Sequence, residues 1–195
     1  MAILSHPEHY SLHHPWHHIS PGDEAPKKVQ AVIEIPRGSK AKYEIDKISG
    51  LLRLDRVLFS AVHYPANYGF IPQTLSDDND PLDILVFCQV DVLPRTIVEA
   101  RVIGIMGMVD QNEIDHKIIA VAERDISMAH INTLDELPKH LQLEMRRFFE
   151  DYKKLEREDT GVLVEQFQGP EAAYPIIEAD IARYIAHFGK PETPE

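Results

Sequence analysis

Cysteine, long apolar runs and a basic leader are scarce or missing in this sequence of 195 residues. The single cysteine, Cys88, excludes an intramolecular disulfide framework and any metal site built from several thiolates. No segment approaches the roughly 18 consecutive apolar residues of a membrane-spanning helix. The N-terminus lacks a basic stretch followed by an apolar core, so we expect no secretory signal, no membrane partner and a cytoplasmic location.

Positively charged residues are also few. Lysine and arginine together number 20 against 32 aspartates and glutamates, which gives a formal net charge of −12. An acidic chain repels phosphate backbones, so nonspecific nucleic-acid binding is disfavoured and no nucleic-acid partner is expected. The surplus carboxylates either form a solvated surface or bind metal ions.

The composition changes near residue 27. Residues 1–26 contain six of the eleven histidines and four prolines, and they show no hydrophobic period. We therefore predict an N-terminal arm over 1–26, one globular domain over 27–190 and a frayed tail over 191–195. The chain is long enough for that domain to bury a core without covalent cross-links.

The histidines of the arm admit two interpretations. His13, His14, His17 and His18 carry the imidazole groups that transition metals bind. No carboxylate or cysteine completes a site of defined geometry among them. The favoured interpretation is therefore a surface arm that packs Trp16 onto the domain.

Between residues 29 and 122 the sequence is typical of β-structure. Six segments rich in β-branched and apolar residues are separated by glycines, prolines and an Asp-Asn-Asp-Pro stretch. This spacing predicts a small, closed or nearly closed barrel of five to six strands. The predicted strands are Val29–Ile35, Ala41–Asp46, Leu51–Leu58, Ile84–Val90, Ile97–Met108 and Asp115–Ala122.

The last third of the chain is predicted to be helical, which makes the fold class α+β, mainly β. Pro138 suits the first turn of a helix, and an apolar stripe follows it at spacings of three and four residues. A second helix is expected over Pro170–Phe188, ending at Gly189. The stripe of the first helix consists of Leu141, Met145, Phe148, Tyr152 and Leu155.

The densest concentration of charge lies between residues 76 and 83. The carboxylates of Asp77, Asp78, Asp80 and Asp83 fall directly before an apolar strand. Two unit charges about 4 Å apart repel by about 1 kcal/mol even in water, so a folded cluster needs cations or raised pKa values. Carboxylate oxygens suit Mg²⁺, Mn²⁺ or Ca²⁺. The alternative is an ordinary acidic turn.

Charges also occur on strand faces that should be apolar. Alternation along a strand places Asp115 and Lys117 on the same face as Ile119 and Val121. A surface ion pair would not ordinarily share that face unless it lined a wet cavity.

The earlier strands repeat this pattern. Lys42 and Glu44 share one face, Arg56 lies on a face with three leucines, and Glu34 lies with Val32. Together these charges predict a cavity at the barrel in which Lys42, Arg56 and Lys117 bind an anion and the carboxylates bind cations.

Two tyrosines could add hydrogen-bond donors to that cavity. Tyr68 follows a Tyr-Pro-Ala-Asn turn, and Tyr152 belongs to the apolar stripe of the first helix. Core packing is the simpler interpretation for both. A phenol in either position could also donate to a phosphate oxygen.

In these residues the chain resembles the family I soluble inorganic pyrophosphatases. The resemblance spans residues 29–155 in order, and the histidine-rich arm is similar to the extended N-terminus of one branch of that family. The matching motifs are Val32-Ile33-Glu34-Ile35-Pro36, Lys42-Tyr43-Glu44, Asp55-Arg56, Tyr64-Pro65-x-Asn67-Tyr68-Gly69, Asp78-Asn79-Asp80-Pro81-Leu82-Asp83-Ile84, Asp110 with Asp115-x-Lys117, and Phe148-Phe149-Glu150-Asp151-Tyr152-Lys153.

The resemblance implies an oligonucleotide-binding-like β-barrel with flanking C-terminal helices. It also implies Mg²⁺-dependent hydrolysis of pyrophosphate to two phosphates, by direct attack of a metal-activated water and without a covalent intermediate. Several Mg²⁺ ions per active site are expected, with Mn²⁺ as a substitute.

The resemblance further implies a role for each matching residue. Asp80 would take the proton from the attacking water, and Tyr68, Arg56 and Lys117 would act beside it on the substrate. The implied metal ligands are Asp78, Asp83, Asp110, Asp115 and Glu44, with Glu34 binding metal-bound water. The implied phosphate contacts are Lys42, Arg56, Tyr68, Lys117, Tyr152 and Lys153.

The resemblance also implies a homo-oligomer. Many bacterial members are hexamers with histidines on the helix that carries the Phe148–Lys153 motif. Arg147 and Asp151 take those positions here, so a hexamer is one arrangement and is not fixed by the sequence.

Three other functions are weighed against the enzyme. A pure cation-binding module would not need Lys42, Arg56 and Lys117 beside its carboxylates. A single-stranded nucleic-acid binder on the same barrel needs a basic groove, which the net charge disfavours. Hydrolysis of a nucleotide or another organic diphosphate stays open, although no base-recognition element is evident.

Overall fold

The computed structural model describes residues 14–110, 113–156 and 162–189; of Asp110 and Glu113 it describes the backbone only. Eight strands and two helices make up this part of the chain, with short 3₁₀ turns at Ile126–Met128 and Leu134–Glu136. The strands are β1 (Lys28–Ile35), β2 (Ala41–Ile45), β3 (Leu52–Val57), β4 (Asn67–Phe70), β5 (Asp83–Phe87), β6 (Ile97–Asp110), β7 (Glu113–Ala122) and β8 (Leu163–Gln168). The helices are α1 (Lys139–Asp151) and α2 (Pro170–Phe188).

Five of the strands close into a ring. Strand β1 pairs antiparallel with β4 on one side and with β6 on the other. The circuit is completed by antiparallel β4–β5, parallel β5–β7 and antiparallel β7–β6 pairing. Strand β8 adds to β6 beside the ring, and β2 and β3 form a separate two-stranded hairpin. The predicted mainly-β barrel with C-terminal helices is confirmed.

The six predicted strands are all present, and α2 has the predicted limits. Three expectations are wrong. Strands β2 and β3 were assigned to the barrel, but among the described strands they pair only with each other, so Lys42, Glu44 and Arg56 lie on a hairpin next to the ring. Tyr68 was placed beside a turn and no strand was predicted there, but it lies in β4. Leu155 lies beyond the end of α1 and is 67% exposed, so it does not continue the apolar stripe.

The wall of the ring is buried on both faces, as the alternation of β7 illustrates. Ile119 and Val121 belong to a cluster that includes Met145 and Phe148 of α1. Ile118 and Ala120, on the opposite face of the same strand, belong to a cluster that α2 completes. Each helix therefore covers one face of the strands. Neither helix is long and apolar enough to cross a lipid bilayer.

A third cluster joins the N-terminal segment to α2. Trp16 is buried, and its indole Nε1 donates to the Thr74 carbonyl at 2.8 Å. The His17 ring stacks on Trp16, and its Nδ1 is 2.7 Å from the Tyr184 hydroxyl. The interpretation that Trp16 packs onto the domain is confirmed, whereas His6, His9 and His13 lie outside the described residues.

Candidate active site

One cavity of about 610 Å³ lies where the hairpin faces the ends of β5 and β7. Its lining includes every predicted site residue except Asp110, whose side chain is outside the described residues. The ring, the hairpin, the segment before β5 and the residues just after α1 each contribute. The lining carboxylates are Glu34, Glu44, Asp46, Asp78, Asp80, Asp83 and Asp115; the lining cations are Lys42, Lys47, Arg53, Arg56, Lys117 and Lys153.

Lys117 lies at the centre of this charge pattern. Parallel pairing of β5 with β7 sets Asp83 beside Lys117, and alternation along β7 keeps Asp115 on the same face. The Lys117 Nζ contacts Asp83 and is 2.8 and 2.7 Å from the two oxygens of Asp115. Burial opposes the ammonium charge, but Asp83 and Asp115 outweigh it and raise the pKa of Lys117. The buried lysine is therefore charged.

Two carboxyl groups of the cavity, one buried and one half-buried, have pKa values above their ordinary range. Burial raises the pKa of Asp115, and the Asp83 charge adds to the effect despite the nearby Lys117. Burial and Asp83 also raise the pKa of Glu34 to about 8, even though Glu34 accepts a hydrogen bond of 2.6 Å from the Ile45 amide. Desolvation is the main cause of both shifts, and the Asp83 charge adds to it.

The cations of the hairpin are held by carboxylates. The Lys42 Nζ donates to Glu44 at 3.1 Å and to Asp55 at 2.8 Å. The Arg56 Nε donates to Glu156, just past α1, at 2.7 Å, and the same guanidinium contacts Asp55. These bonds orient the two cations toward the cavity and connect the hairpin to the segment after α1.

The segment between β4 and β5, residues 71–82, is called the acidic loop here. Its two ends are joined by a hydrogen bond of 2.9 Å from the Ile71 amide to the Leu82 carbonyl. At its tip the Asp78 carboxylate accepts the Asp80 amide at 3.0 Å, and Asn79 takes a positive φ of 65°. Burial raises the pKa of Asp78. The loop thus presents Asp78 and Asp80 to the cavity, next to Asp83 at the start of β5.

The tyrosines are neutral hydrogen-bond donors at the wall. Tyr68 hydrogen-bonds to Asp83, its ring centroid is 5.9 Å from the Lys117 Nζ, and burial raises its pKa. Tyr152 follows the last residue of α1, is buried beside Phe148, and also has a pKa raised by burial. Lys153 places its Nζ 5.3 Å from the ring centroid of Tyr152.

The donor set fits a hard divalent cation. The cavity offers carboxylate oxygens and no cysteine or histidine among the residues that line it, which is the chemistry that Mg²⁺ and Mn²⁺ prefer. As placed, no three such side chains of the described residues converge on a single point. Asp83 and Asp115 turn to Lys117 instead, and Asp80 turns to Lys47.

Comparison with known proteins decides the family. The model of the inorganic pyrophosphatase family matches residues 31–185. The chain belongs to this family. A soluble inorganic pyrophosphatase of Solanum tuberosum is 51% identical over 177 residues, covering 89% of this chain and 83% of the relative. One from Chlamydomonas reinhardtii is 48% identical over 175 residues and covers 90% of each.

Solved pyrophosphatase structures agree with this assignment. The inorganic pyrophosphatase of Thermus thermophilus superposes with a TM-score of 0.84 at 43% identity, over 87% of this chain and 98% of its own. That of Helicobacter pylori gives 0.80 at 39% identity, over 85% and 98%. The chain is therefore an inorganic diphosphatase, a hydrolase of pyrophosphate, and its family requires divalent metal ions.

The sequence did not single out two residues that shape this pyrophosphatase site. Lys47, in the turn of the hairpin, contacts Asp80 and donates to the Asn79 carbonyl at 3.4 Å. Glu156 holds Arg56 from beyond α1. Neither lies in a periodic element, and each meets its partner only through the tertiary fold.

Proposed function

We propose that Mg²⁺ is the metal with which this pyrophosphatase works and that the 610 Å³ cavity is its catalytic centre. The observation that carries the proposal is the contact of buried Lys117 with both Asp83 and Asp115. A pure cation site does not need a buried ammonium, and a pure anion site does not need two carboxylates around it. Metal pyrophosphate needs both.

The cations and phenols of the cavity bind the phosphate oxygens in this proposal. Lys117 is already charged and oriented, and a phosphate oxygen offers it the same kind of partner as Asp83 and Asp115 do now. Phosphoryl transfer depends mainly on position and on neutralised charge, which fixed cations supply. The proposed phosphate contacts are Lys42, Arg56, Tyr68, Lys117, Tyr152 and Lys153.

The carboxylates divide into ligands and a base. When bound, divalent cations neutralise the substrate and lower the pKa of an attacking water, so no covalent intermediate is needed. Asp80 is proposed as the proton acceptor because the family resemblance implies that role for this position; it lines the cavity, where it contacts Lys47. The proposed ligands are Asp78, Asp83, Asp110, Asp115 and Glu44, and Glu34 would hold water bound to the metal.

The two aspartates at positions 80 and 83 test these roles. Asp80→Asn should reduce turnover by about 10²–10⁴-fold, the usual contribution of a general base, and leave Mg²⁺ affinity nearly unchanged. Asp83→Asn should weaken Mg²⁺ binding and turnover together. Phosphate release and Mg²⁺ titration on both variants decide, with a chelator-treated sample as the blank. Equal loss of Mg²⁺ affinity in both variants would make Asp80 a ligand, and full turnover without metal would refute the metal mechanism.

Substrate range is tested in the same assay. We propose pyrophosphate over organic diphosphates because thirteen of the residues that line the cavity are charged, seven carboxylates and six cations, which suits a small metal-bound anion. Phosphate release from pyrophosphate should exceed release from ATP by orders of magnitude with Mg²⁺. Mn²⁺, with the same ligand preference, should also support turnover. Comparable rates on ATP would favour the nucleotide alternative.

We propose in addition that the enzyme acts in the cytoplasm as a homo-oligomer of the branch with an extended arm. The names of the relatives describe them as soluble, which supports the proposed cytoplasmic location. The match to the Thermus thermophilus enzyme covers 98% of that enzyme but 87% of this chain. This chain therefore has additional residues outside the match, which supports the proposed arm. Sedimentation at several protein concentrations tests the assembly, and a monomer at all of them would refute it.

A further inference from the structure

Helix α2 buries one carboxylate within an otherwise apolar stripe. Ala173, Ile177 and Tyr184 recur on its buried side at helical spacing, and Asp180 lies among them with 4% of its surface exposed. A carboxylate removed from water is costly unless hydrogen bonds or cations compensate it. Burial raises the pKa of Asp180, whereas Ser76 and Arg183 lower it. The compensation therefore comes from specific partners.

One of these partners belongs to the acidic loop. The Asp180 Oδ2 accepts the Ser76 hydroxyl at 2.5 Å, and the Asp180 carbonyl accepts the Leu75 amide at 3.0 Å. The Oδ1 of the same side chain accepts the Arg183 Nη1 at 2.6 Å. Both the side chain and the backbone of Asp180 thus bind the loop.

Arg183 completes the attachment one turn further along α2. Its Nη1 donates to the Leu75 carbonyl at 2.5 Å, and its Nη2 is 2.9 Å from the Asp77 carboxylate. Residues 75–77 are consequently held through the amide and carbonyl of Leu75 and through the side chains of Ser76 and Asp77. These residues stand immediately before the proposed metal ligand Asp78.

The attachment continues into the turn that presents the aspartates. The Ser76 amide donates to the Asp80 carbonyl at 2.8 Å, and the Ser76 carbonyl accepts the Asn79 amide at 3.1 Å. The turn of residues 76–80 is thus closed on the residue that Asp180 holds. We propose that Asp180 and Arg183 are positioning residues that fix the acidic loop and set the affinity of the site for divalent cations.

A purely structural role would predict a different pattern of contacts. Helix α2 already packs on the ring through Ala173 and Ile177, which belong to the same apolar cluster as β5 and β7. The polar contacts of Asp180 and Arg183 instead go to residues 75–77 of the loop. Residues that orient metal ligands from behind typically change metal affinity or activity by about 10–100-fold when they are replaced. The inference rests on the proposed ligand roles of Asp78 and Asp83.

Cation binding without turnover is the direct test. Metal-free, full-length protein is titrated calorimetrically with Mn²⁺ and with Mg²⁺, for the wild type, Ser76→Ala, Asp180→Asn and Arg183→Met. Each variant should bind the cations about 10-fold more weakly, as is typical when a residue that orients a metal ligand is replaced. At saturating Mg²⁺ the kcat should stay within about threefold of the wild type, because the reacting groups are intact.

A matched control separates positioning from stability. Ile177→Ala removes apolar packing from the same buried stripe but none of the polar contacts to residues 75–77, so it should lower the Tm and leave cation affinity unchanged. If Ile177→Ala weakens cation binding as much as Asp180→Asn at an equal loss of Tm, the positioning role is overturned.

The site assignment itself is checked in the same titration. Asp83→Asn should weaken cation binding more than any of the positioning variants. Wild-type affinity in the Asp180 and Arg183 variants alongside weak binding in Asp83→Asn would overturn this inference alone. Unchanged affinity in Asp83→Asn would overturn the proposed site.

Discussion

One face of β7 contains two regions of opposite character. Asp115 and Lys117 lie at its start, in a charged cavity, and Ile119 and Val121 follow on the same face in the apolar cluster beneath α1. Lys117 and both apolar residues are nearly inaccessible to water. The start of β7 therefore buries a charged side chain in the cavity, and the next residues on the same face bury apolar side chains in the core.

The two regions have opposite effects on stability. Apolar burial contributes about 25 cal/mol for each Å² removed from water. The attraction within a buried ion pair is largely offset by the cost of desolvating both charges, so the pair contributes little net stability. We therefore expect changes in the charged region to reduce function and changes in the apolar region to reduce stability.

The largest effect is expected from Lys117→Met. The variant keeps the length of the side chain and removes the charge that Asp83 and Asp115 surround. Loss of one such fixed electrostatic group should lower kcat/KM by about 10²–10³-fold. Phosphate release is the measurement, and Lys139→Met, at the exposed start of α1, is the control. An active Lys117→Met enzyme would remove this residue from the phosphate site.

Ile119→Ala is the counterpart two residues further along β7. Ile119 is fully buried, so truncation should lower the free energy of unfolding by about 2–5 kcal/mol. Turnover per folded molecule should change by only a few-fold, because Ile119 does not line the cavity. Urea unfolding followed by circular dichroism gives the first quantity, and active-site-normalised phosphate release gives the second. A stable but inactive variant would contradict the division.

His17 extends the comparison because it is a half-buried titratable group for which the described residues provide no charged partner of opposite sign. Burial lowers its pKa to about 4 from an ordinary 6.5, and the nearby His14 and His18 act in the same direction. The unfolded chain then binds more protons between those values, so stability falls as the pH drops from 6.5 toward 4.

The matching variant isolates this effect. His17→Gln should show a shallower decline of unfolding free energy over the same pH range than the wild type. Urea unfolding at several pH values measures both slopes. Parallel slopes would mean that His17 is accessible to protons in the folded state.

The smallest effect is expected from Cys88→Ala. Cys88 is half-buried against the cluster under α2, and burial raises its pKa, which makes the thiol a poor nucleophile. Turnover should stay within a few-fold and stability should change by about 1 kcal/mol or less, as for loss of a small partly buried apolar group. Phosphate release and a melting curve suffice, and an inactive variant would reopen a thiol mechanism.

Local pattern accounts for what the sequence predicted well. The alternation that set Asp115 and Lys117 beside Ile119 and Val121 depends only on the two-residue period of a strand. The limits of α2 followed from Pro170 at its first turn and a glycine after its end. Such features need no knowledge of distant parts of the chain.

Pairing between distant segments accounts for the errors. The hairpin of β2 and β3 has strand composition whether or not it joins the ring, and only its missing partners exclude it. Strand β4 was not predicted because it contains Gly69, and glycine disfavours strand structure. A Cβ there would lie 1.9 Å from the Val32 carbonyl, so close approach of β1 requires glycine.

At the site, too, contacts between residues distant in sequence could not be predicted. Motif residues were predicted together because resemblance links them, but the bond from Ser76 to Asp180 spans 104 positions and lies in no motif. Lys47 likewise meets Asp80 only because the hairpin folds toward the acidic loop. Contacts of this kind follow from the tertiary structure and not from spacing.

The central claim is that the charged region beside Lys117 binds the divalent cations of catalysis. Anomalous scattering from crystals soaked in Mn²⁺ tests it most directly, because that signal locates the metal irrespective of turnover. We predict peaks between the acidic loop and β7, within coordination distance of Asp78, Asp83 and Asp115, and their loss in Asp83→Asn. Mn²⁺ bound only elsewhere, for example at the histidines of the arm, would contradict the account.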